Sequence, residues 1–200
     1  MDQKTARAEI TERLLESSRV LEETARQCAG ELERAAEALI KAYRAGGKIL
    51  SFGNGGSACD AQNFADELVG RYQRNRPPLP ALSLTVNTSD LTSIANDFGF
   101  EEVFARQLAA HAKPGDIAVA ISTSGNSPNV LKAVREARER RLCVIALTGR
   151  SGGKLKEMAD ICVRVPADAV ARIQEAHIAI IQTWCGLIED ALFPDAPKAH

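Results

Sequence analysis

The sequence predicts an α/β fold built on a five-stranded parallel sheet flanked by helices. Five short apolar segments follow residue 47, and each leads through a polar turn into a stretch with helical periodicity. Short, nearly continuous apolar strands that alternate with helices are typical of a parallel sheet covered on both faces. The predicted strands are Lys48–Phe52, Ala81–Leu84, Ile117–Ile121, Leu142–Leu147 and Ile161–Val165.

A pair of helices is predicted before the first strand. From about Asp2 to Ala45 the apolar residues recur at spacings typical of a helix, with a break near Ala29–Gly30 and a stop at Gly46–Gly47. The pair is charged but carries periodic apolar positions, although the segment after it can form a complete core without it. We therefore expect these helices to cover another surface, and the protein to be a homo-oligomer.

The remaining helices complete one expected domain over residues 1–200. It divides into the helix pair in residues 1–46, the α/β core and C-terminal helix in residues 47–193, and a frayed tail in residues 194–200. The predicted helices after residue 47 are Cys59–Val69, Thr88–Asn96, Pro128–Arg138 and Val170–Phe193.

Composition excludes several classes of protein. The formal net charge is -1 and aromatic residues make up 4%, which argues against a nucleic-acid partner. The five cysteines lack CxxC spacing, so they indicate a reducing compartment rather than a disulfide framework or a thiolate zinc site. No segment approaches about 18 consecutive apolar residues, and the charged N-terminus lacks a leader pattern. We expect a cytoplasmic protein without a membrane partner.

The first candidate site is the glycine-rich loop in SFGNGGSACDAQ, which spans Ser51–Gln62. A buried strand leads into Gly53-Asn54-Gly55-Gly56, and a helix begins near Ser57. Glycines let backbone N–H groups approach an anion, and the helix N-terminus adds a positive end. A phosphate or a sugar hydroxyl can bind there, although a tight strand-to-helix turn would also need one or two glycines.

The second candidate site is the serine-rich loop in AISTSGNSPNV, which spans Ala120–Val130. Four hydroxyl groups lie beside a predicted helix start, where Pro128 suits the first turn. This arrangement favours a phosphate monoester held by neutral donors, since helix capping accounts for only one hydroxyl. The hydroxyl residues are Ser122, Thr123, Ser124 and Ser127. Neither loop has the Gly-Lys-Ser/Thr or GxGxxG pattern, so ATP and NAD are disfavoured.

Several motifs together resemble the phosphoheptose isomerase family over nearly the whole chain. They are KILSFGNGGSACDAQNFADEL, the Asn96-Asp97 pair in IANDFGF, AISTSGNSPNV, LTGRSGG and RIQEAH. The resemblance implies a sugar-isomerase (SIS) fold with a five-stranded parallel core, and a homotetramer with active sites between subunits. It also implies isomerisation of sedoheptulose 7-phosphate to D-glycero-D-manno-heptose 7-phosphate.

The resemblance assigns roles to individual residues. It implies that the serine-rich loop binds the phosphate and that Asn96 and Asp97 hold sugar hydroxyls. Glu67 falls at the general-base position and Gln174 at a substrate or metal position, although a single Glu on a helix is more often a solvated carboxylate. The residues expected on the sugar side are Asn54, Gly55, Gly56 and Ser57.

Two positions depart from the family pattern, which has histidines where this chain has Asn63 and Gln182. The first histidine usually joins Glu67 and Gln174 in a zinc site, and the second is the acid–base partner of Glu67. One carboxylate among amides is a poor zinc site, so we expect no metal and no other cofactor. Gln182 can orient or polarise a carbonyl but cannot act as a general acid. His177 lies about 140° from Gln182 around the helix, so we expect it to be packed rather than catalytic.

Two classes of function stay open at this point. An isomerase needs one base that moves a proton on one face of an enediol, and Glu67 can do this alone. The resemblance also extends to the DnaA initiator-associating protein, a tetramer that binds a replication initiator, and the missing histidines favour such a non-catalytic role. The retained Glu67, Asp97, Gln174 and serine-rich loop favour the isomerase. A sugar-phosphate sensor without turnover is a third alternative.

Overall fold

The computed structural model describes residues 3–199, so the expectations for Asp2 and His200 lie outside the described residues. The chain begins with two helices, α1 (Gln3–Gln27) and α2 (Ala29–Arg44). They are separated at Cys28, beside the predicted break. After α2 the chain turns through Gly46, whose φ of 80° suits glycine, into the sheet.

The sheet has five parallel strands, as the sequence predicts. Their order is β2-β1-β3-β4-β5, so β1 and β3 are neighbours in the middle of the fold. In the register, Ile49 of β1 lies between Ala81 of β2 and Ile117 of β3. The strands are β1 (Ile49–Gly53), β2 (Ala81–Ser83), β3 (Ile117–Ile121), β4 (Cys143–Thr148) and β5 (Ile161–Arg164).

Helices connect the strands, and two of them escaped the sequence analysis. These are α5 (Val103–His111), which follows a short 3₁₀ turn, and the single turn α7 (Leu155–Met158). The signal for α5 was present, because Val103, Phe104 and Leu108 recur at helical spacing and are buried. The predicted helices form as α3 (Gly56–Val69), α4 (Thr88–Phe98), α6 (Pro128–Glu139) and α8 (Val170–Leu192).

The sheet separates two apolar cores. Alternate strand residues pack with α2, α3 and α8 on one face and with α5 and α6 on the other. On the first face the rings of Phe64 in α3 and Trp184 in α8 lie 6.1 Å apart. These two helices run side by side in the same direction, and they carry most of the site residues outside the loops.

The tail is not frayed in residues 194–199, contrary to expectation. Its backbone pairs with the connection between α3 and β2: Asn75 N donates to Pro197 O at 2.9 Å and Ala199 N donates to Gln73 O at 2.8 Å. The Arg74 side chain also donates to the carbonyl oxygen of Ala196. Hydrogen bonds to residues 73–75, which are distant in sequence, therefore hold this segment in place. No helix within residues 3–199 is both long and apolar enough to cross a membrane.

Candidate functional site

The two predicted loops meet at the centre of the sheet. The glycine-rich loop follows β1 and the serine-rich loop follows β3, and these strands are hydrogen-bonded neighbours. The chain moves from β1 to β2 in one direction across the sheet and from β3 to β5 in the other. Open α/β sheets bind ligands at such a switch point, beyond the carboxyl ends of the strands. The fold thus brings both loops to one crevice.

Two glycines of the first loop have a steric or backbone reason, and the third lies under a side chain. A Cβ on Gly53 would lie 2.7 Å from the carbonyl oxygen of Ile121, and Gly55 has a φ of 57°. A Cβ on Gly56 would lie 2.1 Å from Nε2 of Gln174, so the Gln174 side chain covers this glycine. The Gln174 side chain therefore lies beside the glycine-rich loop.

Side-chain hydrogen bonds organise the two loops. The hydroxyls of Ser122 and Ser127 are 3.1 Å apart. Asn54 and Asn129 exchange two amide hydrogen bonds of 2.8 Å, which tie the glycine-rich loop to the first turn of α6. The sequence analysis missed Asn129, although it lies inside the quoted AISTSGNSPNV motif. The sequence does show an amide side chain directly after Pro128, at the predicted start of the helix.

The LTGRSGG turn supports the serine-rich loop from behind. Gly149 N donates to Thr123 O at 2.9 Å, and Leu155 N donates to Gly125 O at 3.1 Å. A Cβ on Gly125 would lie 2.1 Å from the carbonyl oxygen of Gly152, so the two turns are in direct backbone contact. This packing holds the hydroxyl groups in place without a basic residue in the loop itself.

A cavity of about 190 Å³ lies beside the serine-rich loop and is lined by Thr123, Ser124 and Arg150, among others. Arg150 is a cation that the sequence analysis did not connect with this loop. Its Nε donates to Asp168 Oδ2 at 3.1 Å, and both side chains are exposed, so its charge is already paired. The serine-rich loop itself offers only neutral donors, and Arg150 is the cation among the residues that line this cavity.

We call the residues at the switch point the loop cluster. It contains Asn54, Gly55, Gly56, Ser57, Ser122, Thr123, Ser124, Ser127 and Gln174. Ser57 and Ser122 are buried, whereas Gly55, Gly56 and Ser124 are exposed. The cluster combines fixed hydroxyls with accessible backbone, which suits a phosphorylated polyol.

Glu67 lies in a second group of residues, at a distance from the loop cluster. It follows Gly56 by three turns of α3, which corresponds to about 16 Å along the axis. Asn63 precedes it by one turn of α3, and Gln182 precedes Cys185 by one turn of α8. Burial and, next, the Glu67 charge raise the pKa of the Cys185 thiol, so the two helices approach each other at this level. We call Asn63, Glu67 and Gln182 the helix cluster. Within one chain the structure does not bring it to the loop cluster.

The surroundings of Glu67 favour its protonated form more than water does. Burial raises the pKa of this carboxyl, and the nearby Asp66 charge raises it further. Glu189 acts in the same direction, whereas the Asn63 amide and the Arg76 guanidinium lower the pKa. A partly buried carboxylate with a raised pKa is a stronger base than a solvated one, which suits a group that accepts and returns a proton.

Asn96 and Asp97 lie apart from both clusters. They are exposed on α4, where Asn96 Nδ2 donates to Asp97 Oδ1 at 2.7 Å. Within the described residues, neither hydrogen-bonds to any other candidate site residue. None of the α4 side chains is buried. In a single chain the expected hydroxyl-binding pair therefore does not meet the remaining site residues.

His177 is packed in the core, as expected. Its side chain is fully buried, Nε2 donates to Thr148 O at 3.2 Å, and burial lowers its pKa to about 4. The ring is therefore neutral and is not a general acid at pH 7. His177 Nδ1, Asp60 Oδ2 and Asn63 Oδ1 are the buried side-chain atoms of residues 5–199 that lack a hydrogen-bond partner.

Zinc does not fit the donors of the helix cluster. No three His, Cys, Asp or Glu side chains gather around a potential metal position in the part of the chain that the structure describes. The cluster offers one carboxylate and two amides, whereas zinc favours thiolate and imidazole ligands. Gln174 lies two turns from Gln182, about 12 Å along α8, so the two cannot reach one ion within a chain.

Comparison with known proteins agrees with this fold. A family model described as the SIS domain matches residues 14–149. The phosphoheptose isomerase of Rhodospirillum rubrum is 54% identical over 165 residues, which cover 82% of this chain and 88% of that protein. The phosphoheptose isomerase of Thiobacillus denitrificans is 53% identical over 80% of this chain and 83% of its own. The chain belongs to the phosphoheptose isomerase family.

Solved structures of this family share the fold. The phosphoheptose isomerase GmhA of Neisseria gonorrhoeae matches with a TM-score of 0.87 at 44% identity, covering 92% of this chain and 99% of that chain. The phosphoheptose isomerase of Francisella tularensis matches with a TM-score of 0.89 at 40% identity, covering 92% and 98%. The resemblance drawn from the motifs is therefore confirmed, and so is the fold class.

Proposed function

We propose that this protein is an aldose–ketose isomerase that converts sedoheptulose 7-phosphate to D-glycero-D-manno-heptose 7-phosphate. The proposal rests on the loop cluster, whose hydroxyl and backbone N–H groups suit a phosphate and which lies at the switch point of the sheet. The relatives of this chain are named phosphoheptose isomerases. These relatives favour the enzyme over the non-catalytic alternative, in which a tetramer binds a replication initiator. The intact loop cluster also favours a protein that handles a sugar phosphate.

The loop cluster binds the phosphate end of the substrate. One hydroxyl of the Ser122–Ser127 pair accepts from the other, and the accepting group keeps a hydrogen that it can donate to a phosphate oxygen. Thr123 and Ser124 add two further hydroxyls beside the cavity. The N-termini of α3 and α6 offset the negative charge. Gln174, which lies over Gly56, contacts the adjoining part of the sugar.

Glu67 is the base of the reaction. It removes a proton from C1 of the ketose to form an enediol and delivers a proton to C2, and the carboxyl proton can exchange with water between the two steps. O2 takes a proton from water and O1 gives one back to water. The carbonyl thereby moves from C2 to C1 and all atoms balance. One carboxylate is sufficient because both carbon protons use the same face. Gln182 polarises the carbonyl as a neutral hydrogen-bond donor, and no step requires zinc or another cofactor.

The distance between the clusters supports an active site shared by two copies of the chain. An extended chain advances about 1.2 Å per bond, so the eight bonds from C1 to phosphorus span roughly 10 Å. Glu67 lies about 16 Å along α3 from Gly56, and the phosphate binds beyond that end of the helix. The loop cluster of one chain therefore works with the helix cluster of a neighbouring copy.

Exposed apolar surface gives this assembly a physical basis. Ile10 and Leu14 of α1 are 60% and 67% exposed. An apolar groove of about 710 Å³ also runs between α2 and α8, where Leu32, Ile40 and Leu187 line it. Such surfaces favour association with further copies. We extend the proposal to a homotetramer in the cytosol, where a reducing environment suits the free cysteine thiols.

Complementation between inactive variants tests the proposal. Glu67→Gln lacks the base, so its homo-oligomer should be inactive. The double variant Ser122→Ala/Ser124→Ala lacks phosphate donors, so its homo-oligomer should have little activity at substrate concentrations near the wild-type KM. Co-expression should restore part of the isomerase activity, because mixed oligomers contain sites with an intact loop cluster from one chain and an intact Glu67 from another. The product is followed by NMR in the presence of a chelator.

Each failure has a distinct meaning. A wild-type protein that gives no product from sedoheptulose 7-phosphate contradicts the isomerase. An active wild type without complementation, when mixed oligomers are demonstrated by differently tagged chains, contradicts the shared site. Loss of activity on chelation, with recovery on added zinc, contradicts the metal-free reaction.

A further inference from the structure

A buried ion pair lies behind the helix cluster. Arg76, in the connection between α3 and β2, donates from Nε to Oε1 of Glu189 in the last turns of α8 at 3.0 Å. The two side chains are 0% and 1% exposed. Burial of two charges is costly unless they are paired and fully hydrogen-bonded, so this geometry needs an explanation. The family motifs quoted above include neither residue.

The Arg76 guanidinium binds the backbone at the end of α3. Nη2 donates to the carbonyl oxygen of Glu67 at 2.7 Å, and Nη1 donates to that of Leu68 at 2.6 Å. The last carbonyls of a helix lack intrahelical partners, and a cation is favoured there by the helix dipole. Nη1 also lies 3.1 Å from the carbonyl oxygen of Pro77. The planar fork thus fixes the backbone of Glu67 itself.

Glu189 holds the guanidinium and the loop together. Besides Arg76, its carboxylate accepts from the backbone N–H groups of Tyr72, Gln73 and Arg74 at 2.8 to 2.9 Å. These donors satisfy the buried carboxylate. The pair consequently joins three elements, namely the C-terminal end of α3, the connection to β2 and α8.

The two members of the pair have opposite electrostatic effects on Glu67. The groups that act on its pKa are Asn63 and Asp66 on its own helix, Arg76 from the connection, and Glu189 from α8. Arg76 alone would lower the pKa of Glu67, and Glu189 raises it. The effect of the Arg76 charge on the pKa of Glu67 is therefore opposed by the charge of Glu189.

We propose that Arg76 is a positioning residue for Glu67 in the isomerase reaction, and that Glu189 anchors the guanidinium at the end of α3. The inference rests on the proposed function, since it assigns a role to the support of the base. It places the two residues outside substrate contact, behind the α3 backbone. A purely structural pair would stabilise the fold without changing the kcat of the folded enzyme.

Arg76→Lys tests the positioning role. Lysine keeps the charge but cannot donate to several carbonyls from a rigid fork. Displacing the Glu67 carboxylate should lower kcat by about 10- to 100-fold, as expected for a small misplacement of a reacting group. KM should change little, because the phosphate binds at the loop cluster.

Glu189→Asp tests the anchor separately. It keeps the charge but shortens the side chain by one methylene, so the carboxylate cannot hold both the Arg76 guanidinium and the backbone N–H groups of Tyr72, Gln73 and Arg74 at their present distances. It should lower kcat in the same direction as Arg76→Lys with little change in KM. It therefore also decides the proposal if Arg76→Lys does not fold.

Arg74→Lys is the matched control. Arg74 belongs to the same connection and pairs with Asp190 of α8 at 2.6 Å, but its side-chain hydrogen bonds go to Asp190, Pro194 and Ala196 and not to α3. It should keep the wild-type kcat and pH profile.

The proposal is overturned if Arg76→Lys folds and retains the wild-type kcat, if its KM rises with kcat unchanged, or if Glu189→Asp folds and retains the wild-type kcat. An inactive wild type would instead contradict the proposed function, on which the inference rests.

Discussion

Asp60 should destabilise the native protein at neutral pH. Asp60 lies on α3 one turn before Asn63, and the residue is only 7% exposed. Its Oδ2 has no hydrogen-bond partner within residues 5–199. Burial raises the pKa of this carboxyl from 3.8 to about 6. The substitution Asp60→Asn keeps the shape of the side chain and removes the charge, so it measures the stability that is lost when the buried carboxyl ionises.

The magnitude follows from proton linkage. The folded chain keeps the Asp60 proton up to about pH 6, whereas the unfolded chain loses it near pH 3.8. The advantage of the folded state is complete below pH 3.8 and is lost as the pH rises to about 6. At about 1.4 kcal/mol per pKa unit, the loss amounts to about 3 kcal/mol at neutral pH. The variant avoids it, because asparagine does not titrate.

Urea unfolding of wild type and variant measures this effect at a fixed protein concentration, since oligomers are stabilised by mass action. The stability gained by Asp60→Asn should increase by about 2 kcal/mol between pH 4.5 and pH 7.5. Asp66→Asn is the control, because Asp66 is exposed on the same helix. A variant that is less stable than wild type at pH 7.5 would refute the reasoning, since it would mean that Asp60 is ionised and paired in the native protein.

Two further predictions concern binding and rate. The double variant Ser122→Ala/Ser124→Ala should weaken sugar-phosphate binding by about 2–3 kcal/mol, at about 1–1.5 kcal/mol per lost hydrogen bond, and unchanged affinity in calorimetry would remove the phosphate site from this loop. Gln182→His should increase kcat, because it supplies an imidazole that can exchange protons near neutral pH. If the rate does not change, the general acid does not limit the reaction.

Local sequence patterns were sufficient for the elements that form the loop cluster. A buried strand, small residues and a helix start are all contiguous in Ser51–Gln62 and in Ala120–Val130, so their chemistry could be inferred before the strands were paired. The parallel sheet then brought the two loops together, because β1 and β3 are neighbours. Helix geometry also predicted correctly that His177 cannot replace Gln182.

Other features depend on contacts that are distant in sequence. Arg76 and Glu189 lie on different elements, and nothing local distinguishes them from the many surface Arg and Glu residues of the chain. The tail pairs with Gln73 and Asn75 through backbone atoms, which carry no residue-specific signal. The distance from Gly56 to Glu67 follows from the helix rise and could be predicted from the sequence. The sequence does not show that α3 leads away from the loop cluster, so the separation of the two clusters was not predicted.

The central claim, a metal-free isomerase that uses Glu67 as its base, is tested most directly by hydrogen exchange. Chelator-treated protein is incubated with sedoheptulose 7-phosphate in heavy water and followed by NMR. We predict formation of the aldose phosphate with deuterium entering at C1 or C2, and we predict that Glu67→Gln shows neither product nor exchange while it binds the sugar phosphate almost normally. A wild-type protein that binds the sugar phosphate but produces no aldose and no exchange would contradict the account.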